Sequence, residues 1–376
     1  MQHREEIEER ERKNLAPYAA MSADSRGRAF PIKKHPLRTA FQRDRDRIIH
    51  STAFRRMEYK TQVFIPHEKD HFRTRLTHTI EVAQISRTLA RILNLNEDLA
   101  EAIALVHDLG HTPFGHSGED VLNKLLKDFG GFNHNRQSLR IVDFLEQRYE
   151  EHPGLNLSYE VREGIVKHET KSKNITTEFQ PDEQPTLEAS LVDIADEITY
   201  NAHDIDDGLS SGVLTPDDLI ALKFWKYIHL ERIVANLASD DNTQRYALVR
   251  GLLDFMVTDV AHETEMLLRK QYIRSLDDVR HASSKLVTYS DANQIMVNDL
   301  KQFLSEKLYK HDKLLQMSDW AKEILEFIFD RLMNDTGLLP KRYQEMLLTE
   351  AKELVIADYI AGMTDRYAVA MYDKLQ

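Results

Sequence analysis

Two imidazoles and two carboxylates stand out in this 376-residue chain: His78, His107, Asp108 and Asp196. Together they form a donor set of moderate hardness. It suits one octahedral divalent ion such as Mn²⁺, Fe²⁺, Mg²⁺ or Ni²⁺, with positions left open for water and a phosphate oxygen. The chain has no cysteine, which excludes disulfides, thiolate zinc sites and cysteine nucleophiles, and leaves any metal to His, Asp and Glu. His107 and Asp108 are adjacent, and consecutive helical side chains point about 100° apart, so both reach one ion only near a helix end. Taken singly, each of the four is more often a satisfied core histidine or a surface carboxylate. As a set, beside apolar runs where an unpaired aspartate is costly, they read as ligands.

The elements that must position them are helices. His78, Val82, Ile85, Leu89 and Ile92 recur at steps of four and three, one face of a helix with His78 at its buried start. A second helix is predicted from Glu97, with Asn96 as N-cap, to about Asp108, ended by Gly110 in the left-handed conformation. The segment GHTPFGHSGED then forms a tight loop, and Ser117 with Asp120 resembles a capping box opening the next helix. A third long helix carries Leu187, Leu191, Ile194, Ile198, Ala202 and Ile205 on its apolar stripe, with Asp196, Tyr200 and Asp204 aligned at i, i+4 and i+8. The stretch 170–186 is polar and rich in breakers, so it reads as an exposed loop.

Composition sets the wider frame. With 41% apolar and 30% charged residues, the chain is that of a globular protein, and no stretch approaches the ~18 apolar residues of a membrane span. The N-terminus has no apolar signal region, and a cytoplasmic location is expected. Net charge is −12, yet residues 1–80 hold 18 Lys and Arg against 11 Asp and Glu, a local surplus of +7. Surface charges are screened beyond about 8 Å at physiological salt, so local arginines still bind a polyanion. Neither an internal repeat nor a heptad run is present. The expectation is an all-α chain forming a single globular body. It is divided into a charged arm over 1–25, a catalytic core over 26–210 and a helical C-terminal region over 211–376.

The strings RDRDRIIHSTAFRRMEYKTQVF (43–64) and DHFRTRLTHTIEVAQISRTLARILNLNEDLAEAIALVHDLGHTPFGHSGE (70–119) closely resemble the dGTPase-like branch of the HD-domain phosphohydrolases. FNHNRQSLRI (132–141), DIADEITYNAHD (193–204) and ADYIAGMTDRYA (357–368) extend the resemblance over nearly the whole chain; it is least clear over 205–350. The resemblance implies an all-α HD fold with extra C-terminal helices, commonly assembled as a hexamer. It implies hydrolysis of a deoxynucleoside triphosphate (dNTP) at the α-phosphorus, giving a deoxynucleoside and intact triphosphate. The family's metal ligands fall on His78, His107, Asp108 and Asp196, with Mn²⁺ the expected ion, and its catalytic group on His116, Glu119 and His134.

Chemistry supports that assignment, because phosphoryl transfer rests on positioning, charge stabilisation and protonation of the leaving oxygen. Imidazole titrates near neutrality, and a carboxylate partner fixes its tautomer. Arg75, one helical turn before His78 in the family's R-x-x-H pattern, is the expected phosphate contact, with Lys167, Arg55 and Arg56 as further cations. His111 is assigned to substrate contact. Tyr200, Asp204 and Gln62 are assigned to sugar and base, Tyr200 excluding a ribose 2′-hydroxyl by shape. A regulatory dNTP or single-stranded DNA is a further expected partner. The rival readings are an HD phosphohydrolase acting on another phosphate ester, such as a nucleoside monophosphate or an alarmone, and a nucleotide-sensing or single-stranded DNA-binding protein whose HD site is structural. The sequence lacks G-x-x-x-x-G-K-[ST] and G-x-G-x-x-G, so the enzyme classes built on them lack support.

Overall fold

The computed structural model describes residues 1–63, 73–168, 177–220, 222, 224–227 and 242–376. The predicted loop therefore lies partly outside the described residues, at 169–176. Helices dominate, and among the described residues only isolated bridges, such as Thr61 to Thr74, take the place of a sheet. In chain order the helices used below are α1 (Arg4–Asn14), α2 (Arg75–Ile92), α3 (Glu97–Val106), α4 (His116–Leu125), α5 (His134–Arg140), α6 (Tyr159–Lys167) and α7 (Leu187–Ser211). There follow α8 (Asn242–Lys270), α9 (Leu276–Arg280), α10 (Asp291–Leu304), α11 (Asp312–Asn334), α12 (Lys352–Ala361) and α13 (Asp365–Leu375). Among the described residues no helix is long and apolar enough to cross a membrane.

The chain divides into two compact units, each assembled from three separate stretches. The first holds Met1–Arg45, Ile80–Ala104 and Ser158–Asp312; the second holds Asp46–Thr79, Leu105–Leu157 and Lys313–Gln376. The units interleave along the chain because contacts between distant stretches, not chain order, set a compact unit.

In the first unit α7 is the axis, packed against α6, α8 and α10. Thr186 caps its start by accepting from the Ala189 N–H, and Gly212, at φ +75°, takes the left-handed position that ends it. Of its predicted stripe, Leu187, Leu191, Ile198, Ala202 and Ile205 are buried, whereas Ile194 is only half-buried. Helix α1 buries none of its residues, as its charge density requires. Glu188 is fully buried, and one of its oxygens accepts from both the Ala20 and Asn96 N–H groups, each at 3.0 Å. Asn96 itself caps α3, its side chain accepting from the Leu99 N–H.

In the second unit, Val106, Leu109, Val121, Leu122 and Val142 are buried together with Ile324, Leu325 and Ile328 of α11 and Val355, Ile356 and Ile360 of α12. Each such fully buried side chain contributes about 1.5–3 kcal/mol. That core is the platform for the groups described next.

Candidate functional site

The turn after α3 is where the adjacent His107 and Asp108 leave the helix, as their shared reach demanded. The expected reason was a left-handed Gly110; the actual reason is space. Gly110 does not adopt a positive φ, and a Cβ there would lie 2.1 Å from the His134 carbonyl oxygen and 2.3 Å from the Ser138 nitrogen. Helix α5 therefore packs directly on the turn. Ser138 stitches the two together, its hydroxyl accepting from the Gly110 N–H and donating to the His107 carbonyl, both at 2.8 Å.

His78, on the first turn of α2, completes a cluster with His107 and Asp108. All three are buried, and one ligand atom from each lies within 4.8 Å of the others. The two rings sit 6.1 Å apart. Two imidazoles and a carboxylate gathered this closely in a buried place could hold a divalent metal ion.

Asp108 does more than face the cluster. Its carboxylate takes Arg75 Nη1 at 2.8 Å on one oxygen, and on the other meets His111 Nε2 at 3.1 Å and His107 Nε2 at 3.3 Å. Burial alone would raise this carboxyl, but His107, Arg75 and His111 outweigh it and hold it well below the usual carboxylate range. His111 is itself pushed well below the ordinary histidine value, chiefly by burial, with Arg75 and His134 adding to the effect. Arg75 is 1% exposed, and among the described residues its Nε and Nη2 have no hydrogen-bond partner. Two donor nitrogens of a buried guanidinium are thus left over beside a metal-type cluster, where buried polar groups ordinarily find partners.

A second row continues from His111, whose ring stacks on His134 at 4.0 Å. His134 Nδ1 meets both oxygens of Glu119, at 2.9 and 3.0 Å, and the His134 backbone N–H donates to Glu119 at 2.9 Å. The other neighbour of Glu119 is His116 Nδ1 at 3.4 Å. Burial raises the Glu119 carboxyl, yet its hydrogen bonds with His116 and His134 prevail and bring it far below the usual range. His116 is 76% exposed at its side chain, so the row opens to solvent at that end. The helix carrying His116 and Glu119 starts differently from expectation. Gly115, not Ser117, is the N-cap of α4, because Phe114 and Gly115 both adopt left-handed φ (+60° and +59°) and turn the chain into the helix two residues early.

Gln62 sits beside the turn, and the Thr61 and Gln62 carbonyls are 3.5 Å from where a Cβ on Gly115 would be. Asp196 belongs to α7 in the first unit, where His168 Nε2 approaches it at 3.6 Å and His168 Nδ1 bonds to Asp193. Burial disfavours charge on His168, but Asp193 and Asp196 overcome it and raise that imidazole well above its ordinary value. Asp204 accepts from the Tyr309 hydroxyl, and Lys301 Nζ stands 6.0 Å over the Tyr200 ring. Lys167 is 2% exposed and has three acceptors: Glu163 at 2.9 Å and the carbonyls of Glu183 and Gln180 at 2.7 and 3.2 Å. An ammonium has three N–H donors, so a phosphate on Lys167 has to displace one of these.

Sequence reasoning missed His168, although it directly follows Lys167, because a lone histidine near a polar loop carries no spacing signal. It also missed Ser138, a residue whose only value is the two backbone groups it joins.

Comparison with known proteins agrees with this architecture. A profile described as HD domain matches residues 75–201, and one described as phosphohydrolase-associated domain matches 287–374. A deoxyguanosinetriphosphate triphosphohydrolase-like protein of Geobacter sulfurreducens is 48% identical over 97% of this chain and 96% of its own. One of the same description from an Azoarcus species is 50% identical over 96% of each chain. A solved structure of a hypothetical protein from Aquifex aeolicus overlays 80% of this chain and 79% of that one with a TM-score of 0.33 at 19% identity.

Proposed function

Starting from a chain that belongs to the deoxyguanosinetriphosphate triphosphohydrolase-like family of HD-domain phosphohydrolases, we propose that it hydrolyses deoxynucleoside triphosphates at the α-phosphorus, releasing a deoxynucleoside and intact triphosphate. The observation that carries this reading is the Asp108 carboxylate, which joins Arg75, His107 and His111 and so links a metal-type cluster to the His134–Glu119–His116 row.

His78, His107 and Asp108 are the proposed metal ligands, Mn²⁺ the proposed ion, and the sequence motif adds Asp196 as a fourth donor. A bound divalent ion supplies Lewis-acid polarisation of a phosphoryl oxygen. The protein groups supply the rest. Arg75 directs its two spare donors at the phosphates, where a charge-assisted bond is about twice as strong as a neutral one. Water adds to the α-phosphorus as the bond to the 5′-oxygen breaks; His116, at the open end of the row, delivers a proton to that leaving oxygen and is reprotonated by the proton the added water loses. Glu119, gripping both His116 and His134, fixes the ring orientation that makes this transfer in line. His111, packed between Asp108 and His134, is assigned to the substrate phosphates. Gln62, Lys167, Tyr200 and Asp204 are assigned to the remainder of the nucleotide on the sequence motif.

The test is a product assay by anion exchange with each of the four dNTPs and Mn²⁺, singly and mixed. Triphosphate with deoxynucleoside is the expected result; activity confined to the mixture identifies a nucleotide effector. Metal-loaded protein that forms neither refutes the reading and leaves another phosphate ester, or nucleotide or single-stranded DNA binding, as the role. Sizing by light scattering tests the hexamer, and fractionation of the native host tests the cytoplasmic location.

A further inference from the structure

The turn that presents His116 is strained. Phe114 carries a side chain yet sits at φ +60°, a conformation such residues rarely adopt. Gly115 follows at φ +59°, and a Cβ there would meet Arg75 Nη2 at 3.2 Å. A backbone so placed persists only when its surroundings hold it, and the holding group comes from far along the chain. Asp365, at the start of α13 and 3% exposed, accepts from the Phe114 N–H at 2.9 Å on one oxygen. Its other oxygen accepts from the Thr61 N–H at 2.8 Å and from the Thr61 hydroxyl.

These two donor residues are the approaches to two different parts of the site. Thr61 precedes Gln62 and bridges to Thr74, while the neighbouring Lys60 carbonyl accepts from the Arg75 N–H at 3.1 Å, where α2 begins. Phe114 leads through Gly115 into His116. Lys60 reinforces the arrangement from beneath: its buried ammonium donates to the His111 carbonyl and, at 2.9 Å, to the Ala361 carbonyl. One carboxylate thus takes both ends of the loop system, and none of its three donors is charged.

We propose that Asp365 is a positioning residue. By clamping Thr61 to Phe114 it holds Gln62, Arg75 and His116 in mutual register, and gives the region matched as phosphohydrolase-associated an indirect, positioning part in the catalysis assigned above to the HD residues. The inference rests on that functional reading for its kinetic consequence, but not for its geometry. Asp365 touches no reacting atom; it acts through the backbone of two loops.

The test compares Asp365→Asn with Thr364→Ala in the full chain. Asn keeps one acceptor oxygen but offers an amide nitrogen to the donors that the second oxygen receives. Thr364 accepts from the Tyr367 N–H and caps the same helix, so its loss weakens α13 while leaving the clamp. In Asp365→Asn, kcat is expected to fall at least about 10-fold with KM within about twofold, since small misplacements of reacting groups act on kcat. Hydrogen exchange over 61–63 and 112–119 is expected to accelerate. Thr364→Ala is expected to lower the melting temperature without either change. Thr61→Val, which deletes only the hydroxyl donor, gives a milder kcat loss if Asp365→Asn fails to fold. Unchanged exchange or unchanged kcat in Asp365→Asn, or an equal kcat loss in Thr364→Ala, overturns the proposal. Should the wild-type protein cleave no dNTP, the functional reading fails while the exchange comparison still decides the clamp.

Discussion

Replacing Gly110 with Ala adds one methyl group at a place where the structure leaves no room for it. The new Cβ would stand 2.1 Å from the His134 carbonyl oxygen, 2.3 Å from the Ser138 nitrogen and 2.8 Å from the Gln137 carbonyl carbon. A relaxed carbon-to-oxygen approach is about 3.3 Å, so α5 and the turn must separate by roughly 1.2 Å. All three atoms are backbone, and no rotamer change relieves them. Because Gly110 has no positive φ, the effect is steric and not conformational. Overpacking of this kind costs about 1–3 kcal/mol. With an unfolding entropy of about 2.1 cal/mol/K per residue, 376 residues give roughly 0.8 kcal/mol/K, and the melting temperature drops only about 1–4 °C. Activity should suffer far more. His134 is carried away from Glu119 by a displacement for which about 100-fold in kcat is expected. The assay is kcat by triphosphate release alongside calorimetric melting. Gly110→Ala with wild-type kcat would refute the claim that contact between α5 and the turn sets the catalytic row.

Glu119→Gln should retain metal, measured by elemental analysis, while kcat falls about 100-fold, the range of a positioned acid-base group; an unchanged kcat removes Glu119 from the row. Asp196→Ala should lose both metal and activity with the helical circular dichroism preserved, and retained metal would exclude it as a ligand. Glu188 offers a pH test. Burial pushes it up to about 7, so between pH 4.5 and 7 the native protein keeps a proton that the unfolded chain has lost. The Glu188 share of stability is therefore complete below about pH 4.5 and is lost as pH rises to 7, by up to about 3 kcal/mol. Glu188→Gln, whose single oxygen still accepts from Ala20 and Asn96, should flatten the urea midpoint across that window; an unaltered pH dependence counts against the shift.

Local periodicity explains why the helices were legible. His78, Val82, Ile85 and Leu89 are all buried as their spacing required, although Ile92, at the end of the same stripe, is 55% exposed because the stripe outruns the surface it packs on. Asn96 capped the helix it was expected to cap, since an N-cap is decided within four residues. Ser117 did not, because the preceding left-handed pair moved the start of α4, and that pair is stabilised by Asp365, 251 positions away. For the same reason Gly110 was singled out correctly and explained wrongly: its neighbour α5 is close in space and not in sequence. Residue types and spacing gathered His78, His107, Asp108 and Asp196, and the family resemblance added His116, Glu119 and His134. What they left open was which neighbours occupy each polar atom, as with the three acceptors around Lys167.

The separation of Asp365 from Phe114 also has a consequence for biosynthesis. At a translation rate of about 5–20 residues per second, the 251 positions between them take roughly 12–50 s to appear. Throughout that interval the nascent chain already displays His78, His107, Asp108, His116, Glu119 and His134, but the turn through Phe114 has no carboxylate to hold it. On the proposed role of Asp365, the geometry that its carboxylate holds forms only after residue 365 has emerged. A ribosome that stalls before codon 365 leaves a polypeptide with its histidines in place and its turn unfastened.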